Sequence, residues 1–210
     1  MKDLLISEPL DGLEHQVRAV LFDCDGTLVD TMPAHHRSWE ATLREIQVEE
    51  PIDYDRFCTL GGMAGPLVAV EICKWFGIEQ DPHSLAMRKR ELFLEGGDIC
   101  PPIPQIEIFA RRVAATHPVA VVSGGHRPAV ENALTSSGLR SLFEVIVTPE
   151  DVENGKPAPD MYLLAAERLG VDPADCLVLE DGPPGVEAAQ RAGMRVVIVG
   201  PAVQVLKETN

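Results

Sequence analysis

The sequence predicts an α/β fold whose core is a Rossmann-like, doubly wound parallel sheet, with a small helical cap inserted after the first strand. Five short apolar runs predict the strands, and helical patterns separate the later runs, an alternation typical of this fold class. The runs are rich in β-branched residues and do not alternate with polar residues, as expected for strands buried on both faces. They lie at residues 19–22, 119–122, 145–147, 177–179 and 196–199.

Apolar residues at three- and four-residue steps predict the core helices, at 106–115, 129–137, 160–169 and 186–192. Gly138, Gly170 and Gly193 follow three of these segments, at the position where a glycine commonly ends a helix. Functional sites of such folds lie beyond the carboxyl ends of the strands. The residues that follow each strand are therefore the candidates for chemistry.

The interval between the first two strands is too long for a single crossover and shows no strand pattern. Its apolar spacing predicts helices at 35–47, 65–75 and 84–94, with breaks at Pro51, Gly61-Gly62, Gly77 and Asp81-Pro82. We therefore expect an N-terminal extension (1–16), an α/β core domain (17–30 and 101–210) and a helical cap domain (31–100) over the strand ends. The proline-rich stretch 101–104 is expected to be a stiff return to the core.

Composition and charge exclude several classes of partner. The chain has 210 residues, of which 45% are hydrophobic and 24% charged, as in ordinary globular proteins. Its 18 basic and 33 acidic residues give a net charge of −15, which argues against nucleic acid or an anionic membrane as partner. No run approaches the roughly 18 apolar residues of a membrane span, and the start lacks the basic and apolar blocks of a signal peptide.

The five cysteines show no metal-finger spacing. We expect free thiols in a cytoplasmic protein that is a monomer or weak homodimer.

Acidic pairs follow two of the predicted strands. Asp23 and Asp25 end the first strand, and carboxylates two positions apart on an extended chain project to the same side. An aspartate-rich turn at Gly26 explains this first pair equally well. Glu180 and Asp181 end the fourth strand, and parallel strands deliver their carboxyl ends to one edge. Carboxylates that converge repel one another unless a cation intervenes, and oxygen ligands alone suit Mg²⁺. A solvated acidic cluster is the alternative, but both pairs end buried strands, which favours a metal site.

A hydroxyl and a lysine follow the remaining strands. Ser123 and Gly124 end the second strand just before a predicted helix, where backbone amides could hold an anion, although the same residues also make flexible turns. Lys156 follows the third strand in a loop that two prolines stiffen, and an ordinary surface lysine is the alternative. Taken together, an acidic nucleophile, a cation site, a lysine and a hydroxyl match the requirements of phosphoryl transfer.

In their order and spacing these elements resemble the motifs of the haloacid dehalogenase-like (HAD) hydrolases. The matching segments are Asp23 to Thr31, Ser123, Gly155 to Asp160, and Glu180-Asp181, and the resemblance covers about residues 17 to 199. The cap resembles that of the β-phosphoglucomutase and fructose-1-phosphate phosphatase-like subgroup, with the similarity strongest over residues 31–39. The resemblance therefore implies an enzyme that acts on small phosphorylated metabolites.

The resemblance also implies a role for each motif residue. Asp23 would attack phosphorus and form an aspartyl-phosphate, and Asp25 would protonate the leaving alkoxide and then deprotonate the incoming water. Ser123, Gly124 and Lys156 would hold the transferring phosphoryl group. Mg²⁺ would bind the carboxylate of Asp23, the backbone carbonyl of Asp25 and the side chain of Asp181, with Glu180 bound directly or one layer behind. His35, at the cleft mouth, would bind substrate, although an exposed helix residue is the alternative reading of this histidine.

The sequence thus predicts a Mg²⁺-dependent phosphatase of small phosphorylated metabolites, above all sugar phosphates such as fructose 1-phosphate. A phosphosugar mutase of the β-phosphoglucomutase type is the enzymatic alternative. Mutases of this subgroup carry a basic residue in one loop of the cap. The corresponding loop of this chain, residues 60–66, contains no basic residue. Arg88, Lys89 or Arg90 could still supply a charge from elsewhere in the cap. A non-catalytic module that binds a phosphorylated metabolite is less favoured, because no motif residue is missing.

Overall fold

A computed structural model describes residues 6, 9–61, 63–97 and 100–200 of the chain. The strands are β1 (Ala19–Phe22), β2 (Val119–Val122), β3 (Val145–Val147), β4 (Cys176–Glu180) and β5 (Arg195–Ile198). They form one sheet in the order β3-β2-β1-β4-β5, and every pairing is parallel. The chain winds outward from β1 in both directions, so the predicted doubly wound core is confirmed.

Eight α-helices lie within the described residues. They are α1 (Met32–Glu45), α2 (Tyr54–Cys58), α3 (Gly65–Phe76), α4 (Pro82–Glu95), α5 (Pro104–Ala114), α6 (Arg127–Ser136), α7 (Asp160–Leu169) and α8 (Pro183–Arg191). Short 3₁₀ turns lie at Leu13–Gln16, Arg140–Leu142, Pro149–Asp151 and Pro173–Asp175. None of the helices in this part of the chain is long and apolar enough to cross a membrane.

The sequence pattern missed helix α2. Five residues are too few to display a helical period. The available signal was Asp53, whose side chain accepts a hydrogen bond from the backbone N–H of Arg56 at 2.7 Å and caps the helix.

The sheet is buried on both faces, which explains why its strands do not alternate with polar residues. Val20 and Phe22 of β1 pack with apolar residues of α5 and α6, whereas Ala19 and Leu21 pack with α7 and α8 on the opposite face. Hydrophobic burial is the main favourable term in folding, and these two layers hold most of the buried apolar side chains.

A third apolar cluster lies within α1 to α4 and is separate from the two layers that cover the sheet. It includes Trp39, Leu43, Phe57, Ile72 and Leu85. The separate cluster supports the predicted cap, whose boundaries at residues 31 and 100 stay a prediction. Residues 1–5 and 7–8 of the predicted extension, Gly62, residues 98–99 and residues 201–210 lie outside the described part of the chain.

The chain enters and leaves the α1–α4 region along two adjacent stretches. The N–H of Asp30 donates to the carbonyl of Pro101 at 2.9 Å, and the N–H of Ile103 donates to the carbonyl of Leu28 at 2.9 Å. Pro104 then begins α5. These two hydrogen bonds thus join the stretch that enters the α1–α4 region to the stretch that leaves it.

Replacing Phe109 with alanine tests the layer under α5. Phe109 is 1% exposed and packs against Phe22 with ring centroids 6.1 Å apart. We expect Phe109→Ala to lower the free energy of unfolding by about 3–5 kcal/mol, because a cavity remains in a close-packed layer. Urea denaturation measures this loss.

The adjacent Ile108 provides the control, since it lies on the same helix but is 68% exposed. Ile108→Ala should change the free energy of unfolding by less than about 0.5 kcal/mol. Equal losses in the two variants would contradict the packing described for α5.

Candidate active site

The sheet order brings the predicted site residues to one edge. β1 lies between β2 and β4, so Asp23 and Asp25 after β1 lie beside the residues that follow the two neighbouring strands. A cavity of about 340 Å³ opens there between the strand ends and the α1–α4 region. Its walls include Asp23, Asp25, His35, Gly124, Lys156, Glu180 and Asp181.

Lys156 is the central cation of this cavity. Its Nζ donates to Oδ1 of Asp23 at 2.6 Å, to Oε1 of Glu180 at 2.7 Å and to the carbonyl of Val122 at 3.0 Å. These three acceptors match the three protons of an ammonium group. Burial disfavours the charge of Lys156, but Asp23 and Glu180 outweigh burial and hold its pKa well above the ordinary value.

Three carboxylates form an acidic cluster around the same point. Asp23, Glu180 and Asp181 each offer one oxygen, and the three oxygens lie within 4.8 Å of one another. Burial and the charge of Glu180 raise the pKa of Asp23 well above its ordinary value and that of Asp181 to about 8. A bound cation would relieve this cost, and an all-oxygen donor set suits Mg²⁺. The residues therefore fit a magnesium ion.

Two glycines allow the acidic side chains to approach so closely. Gly26 has φ +86°, and a Cβ at this position would collide with the carboxylate of Asp181. A Cβ at Gly185 would collide with the side chain of Glu180. Thr27 donates its hydroxyl to Oδ1 of Asp181 at 2.9 Å, which fixes the direction of that carboxylate.

Asp25 lies outside the acidic cluster and contacts a different set of residues. Its Oδ2 accepts from the hydroxyl of Ser123 at 3.3 Å, and its Oδ1 lies 3.6 Å from Nε2 of His35. Burial disfavours the charge of Asp25, but the hydrogen bond and charge of His35 outweigh burial and lower its pKa to about 2. The side chain is therefore an ionised carboxylate in this structure.

His35 is held between Asp25 and the cap helix α4. Its ring stacks on Phe93 with centroids 4.3 Å apart, and Lys89 donates to its Nδ1. Because an ammonium group can only donate, the ring proton of His35 lies on Nε2 and faces Asp25. Burial lowers the pKa of Lys89 to about 8.

Ser123 and Gly124 lie where β2 ends. Gly124 is on the cavity wall, whereas Ser123 is fully buried just beneath that wall. The hydroxyl of Ser123 also accepts from the backbone N–H of Gly125 at 3.0 Å.

The sequence did not predict a series of hydrogen bonds that links Arg90, His126 and Glu150 beside the cavity. Arg90 of α4 donates to Nε2 of His126 at 2.8 Å, and the other ring nitrogen of His126 donates to Glu150. Arg90 and His126 both line the cavity. The three residues are far apart in the chain and belong to no motif, so only the fold brings them together.

Comparison with known families places the chain in one of them. A family model described as haloacid dehalogenase-like hydrolase matches residues 17–193. The match covers well over half of the chain, which therefore belongs to the haloacid dehalogenase-like hydrolases.

Individual relatives match most of the chain. The fructose-1-phosphate phosphatase YqaB of Escherichia coli is 34% identical over 184 residues, or 86% of this chain and 95% of that protein. Hexitol phosphatase A of Escherichia coli is 33% identical over 193 residues, or 87% of this chain and 82% of that protein. A crystal structure of CbbY from Rhodobacter sphaeroides with xylulose-(1,5)-bisphosphate has a TM-score of 0.72 at 27% identity, covering 86% of this chain and 84% of that one. The predicted family and enzyme class, a haloacid dehalogenase-like phosphatase, are confirmed.

Replacing Asp181 with asparagine tests whether the acidic cluster holds a metal. A ligand at 100 times its Kd stabilises a folded protein by about 2.7 kcal/mol, so Mg²⁺ should raise the midpoint of thermal unfolding of the wild type. We expect metal-free Asp181→Asn to be at least as stable as metal-free wild type, because the substitution removes a carboxyl group whose ionisation burial and the charge of Glu180 disfavour. The variant should gain less from Mg²⁺.

Unfolding midpoints in EDTA and in Mg²⁺ provide the measurement. Glu167→Gln is the control, because this exposed carboxylate of α7 lies outside the acidic cluster. It should gain as much from Mg²⁺ as the wild type. An equal gain in Asp181→Asn would remove Asp181 from the metal site.

Proposed function

We propose that this protein is a Mg²⁺-dependent phosphatase that hydrolyses small phosphorylated metabolites, above all sugar phosphates such as fructose 1-phosphate, through an aspartyl-phosphate intermediate. One observation carries the proposal. Asp23, the ammonium of Lys156 and the acidic cluster all face one cavity, with the carboxylate of Asp25 beside them. The cavity thus combines a nucleophile, a proton carrier and a place for positive charge.

Asp23 is the proposed nucleophile. Attack on phosphorus requires an ionised carboxylate, and the 2.6 Å contact with Lys156 favours that form against burial. Lys156 also places positive charge where the phosphoryl oxygens would lie, as electrostatic stabilisation of phosphoryl transfer requires. Mg²⁺, held by Asp23, Glu180 and Asp181 with the backbone carbonyl of Asp25, would supply further positive charge to these oxygens.

Asp25 is the proposed acid and base. In its ionised form it can take the proton from the water that attacks the aspartyl-phosphate. To protonate the leaving alkoxide it must first bind a proton, and the negative charge of a bound phosphate ester raises the pKa of a neighbouring carboxylate. Substrate binding therefore favours the acid form. Such acid–base catalysis contributes about 10²–10⁴-fold.

The residues after β2 complete the proposed phosphate site. Gly124 lies on the cavity wall directly before α6, where backbone N–H groups favour an anion. Ser123 donates to Asp25 in this structure, and we expect its hydroxyl to turn to a phosphoryl oxygen when substrate binds.

The substrate is proposed from the size of the cavity and from the relatives. A cavity of about 340 Å³ suits a small metabolite rather than a polymer, and His35 on its wall is the proposed contact to the leaving group. The phosphatases similar to this chain are named for fructose 1-phosphate and hexitol substrates. With a net charge of −15, we propose a cytoplasmic monomer or weak homodimer without nucleic-acid or membrane partners.

The cap loop supports hydrolysis over mutase activity. Leu60, Met63 and Pro66 of this loop line the cavity and carry no charge that could hold a second phosphate. Arg88 pairs with Glu45 at 2.7 Å and does not line the cavity. Lys89 and Arg90 line the cavity, but Lys89 is hydrogen-bonded to His35 and Arg90 to His126.

Phosphate release from a panel of phosphosugars tests the proposed nucleophile. Asp23→Asn keeps the shape of the side chain but removes its nucleophilic charge, so we expect turnover to fall by roughly 10³-fold or more. Asp30→Asn is the control, because this exposed aspartate lies outside the cavity wall. It should retain wild-type turnover. Undiminished phosphate release by Asp23→Asn would exclude Asp23 as the nucleophile.

Product analysis separates phosphatase from mutase. With β-glucose 1-phosphate and its bisphosphate primer, ³¹P NMR should show inorganic phosphate accumulating faster than glucose 6-phosphate, because the cap loop holds no second phosphate. Faster formation of glucose 6-phosphate would instead assign mutase activity. Binding of these compounds without turnover in Mg²⁺ would favour a non-catalytic module.

A further inference from the structure

Tyr162 is a buried aromatic residue behind the active-site lysine. It lies in the first turn of α7 and is fully buried. The Nζ of Lys156 lies over its ring, 5.2 Å from the ring centroid. The hydroxyl of Tyr162 has no hydrogen-bond partner among the described residues. The ring of this residue therefore contacts Lys156, whereas the hydroxyl lies close enough to Lys156 to interact with its charge but makes no hydrogen bond of normal geometry.

The ring completes the surroundings of Lys156. The three protons of the ammonium group are used by Asp23, Glu180 and the carbonyl of Val122. An aromatic face attracts a cation electrostatically within about 6 Å of the ring centroid, and the attraction is stronger where water is excluded. The side chain of Lys156 is only 7% exposed, so this contact is largely desolvated.

The contact with the ring differs from the two contacts with carboxylates. Under the proposed function, Asp23 bonds to phosphorus during turnover and Glu180 would share its charge with Mg²⁺, so neither carboxylate serves Lys156 alone. The aromatic face offers no lone pair to a metal and no oxygen to phosphorus. It can hold Lys156 throughout the reaction, together with the carbonyl of Val122.

We propose that Tyr162 is a positioning residue whose ring face keeps Lys156 directed at the transferring phosphoryl group. The proposal rests on the proposed function, because it gives a task to a residue that acts only through Lys156. It also assigns no task to the hydroxyl.

Two substitutions at this position separate the ring from the hydroxyl. Tyr162→Phe keeps the ring, so its kcat/KM should stay within about twofold of wild type, and its stability should not fall because the lost hydroxyl has no partner. Tyr162→Leu removes the ring, and we expect kcat/KM and the affinity for inorganic phosphate in Mg²⁺ each to fall roughly tenfold. Steady-state kinetics and calorimetric titration with inorganic phosphate measure these effects.

Phe143→Leu is the matched control for loss of a buried ring. Phe143 is 1% exposed and lies in the apolar layer on the other face of the sheet from Tyr162. This variant should lose stability but keep the wild-type kcat/KM and phosphate affinity. Tyr162→Met replaces Tyr162→Leu if the leucine variant does not fold.

The outcomes distinguish this inference from the proposed function. Wild-type kcat/KM and phosphate affinity in Tyr162→Leu, or in Tyr162→Met if it is used instead, would overturn the role of the ring while leaving the phosphatase intact. Equal losses in Tyr162→Phe and Tyr162→Leu would assign the role to the hydroxyl and also overturn the inference. If the wild type releases phosphate from no phosphoester in Mg²⁺, the proposed function fails, and the inference fails with it.

Discussion

Repulsion among closely spaced carboxylates is the constraint around which the carboxyl edge of the sheet is arranged. Asp23, Glu180 and Asp181 each place one oxygen within 4.8 Å of the others, so their negative charges repel one another unless a cation compensates. Lys156 supplies one fixed positive charge by contacting two of the three. The remaining excess of negative charge favours a divalent cation. The carboxylate charges that favour a bound cation therefore also lower the stability of the fold when no cation is bound.

The surrounding structure can be understood as support for this charge cluster. Gly26 and Gly185 leave room for the carboxylates of Asp181 and Glu180, and Tyr162 covers Lys156 from behind. The two apolar layers make the sheet edge rigid enough to hold side chains at hydrogen-bonding distances. Opposite the cluster, the cap helices contribute His35, Lys89 and Arg90 to the cavity wall.

Much of the fold was predictable because its signals are local. The apolar runs located all five strands to within one residue at each end. Helix α7 began at the predicted residue, and α5, α6 and α8 began two or three residues earlier than their apolar spacing indicated. Helix α2 was missed because five residues are too short to show a period, although Asp53 marked its start. The candidate site was equally predictable in its strand-end residues. The contact of Arg90 with His126 was not, because no sequence rule relates a cap helix to a particular loop of the core.

Local order along the chain was sufficient for the fold class, the family and the candidate residues at the strand ends. Each of these residues follows a strand whose apolar run is unmistakable, and parallel strands end at one edge. The tertiary structure was needed for everything that depends on distance across the fold. It showed that Lys156 donates hydrogen bonds to both Asp23 and Glu180 and that Nε2 of His35 lies 3.6 Å from Asp25. It also showed that Ser123 lies beneath the cavity wall. Side-chain direction and burial arise from tertiary packing, as in the contact of Lys156 with Asp23, and no local pattern encodes them.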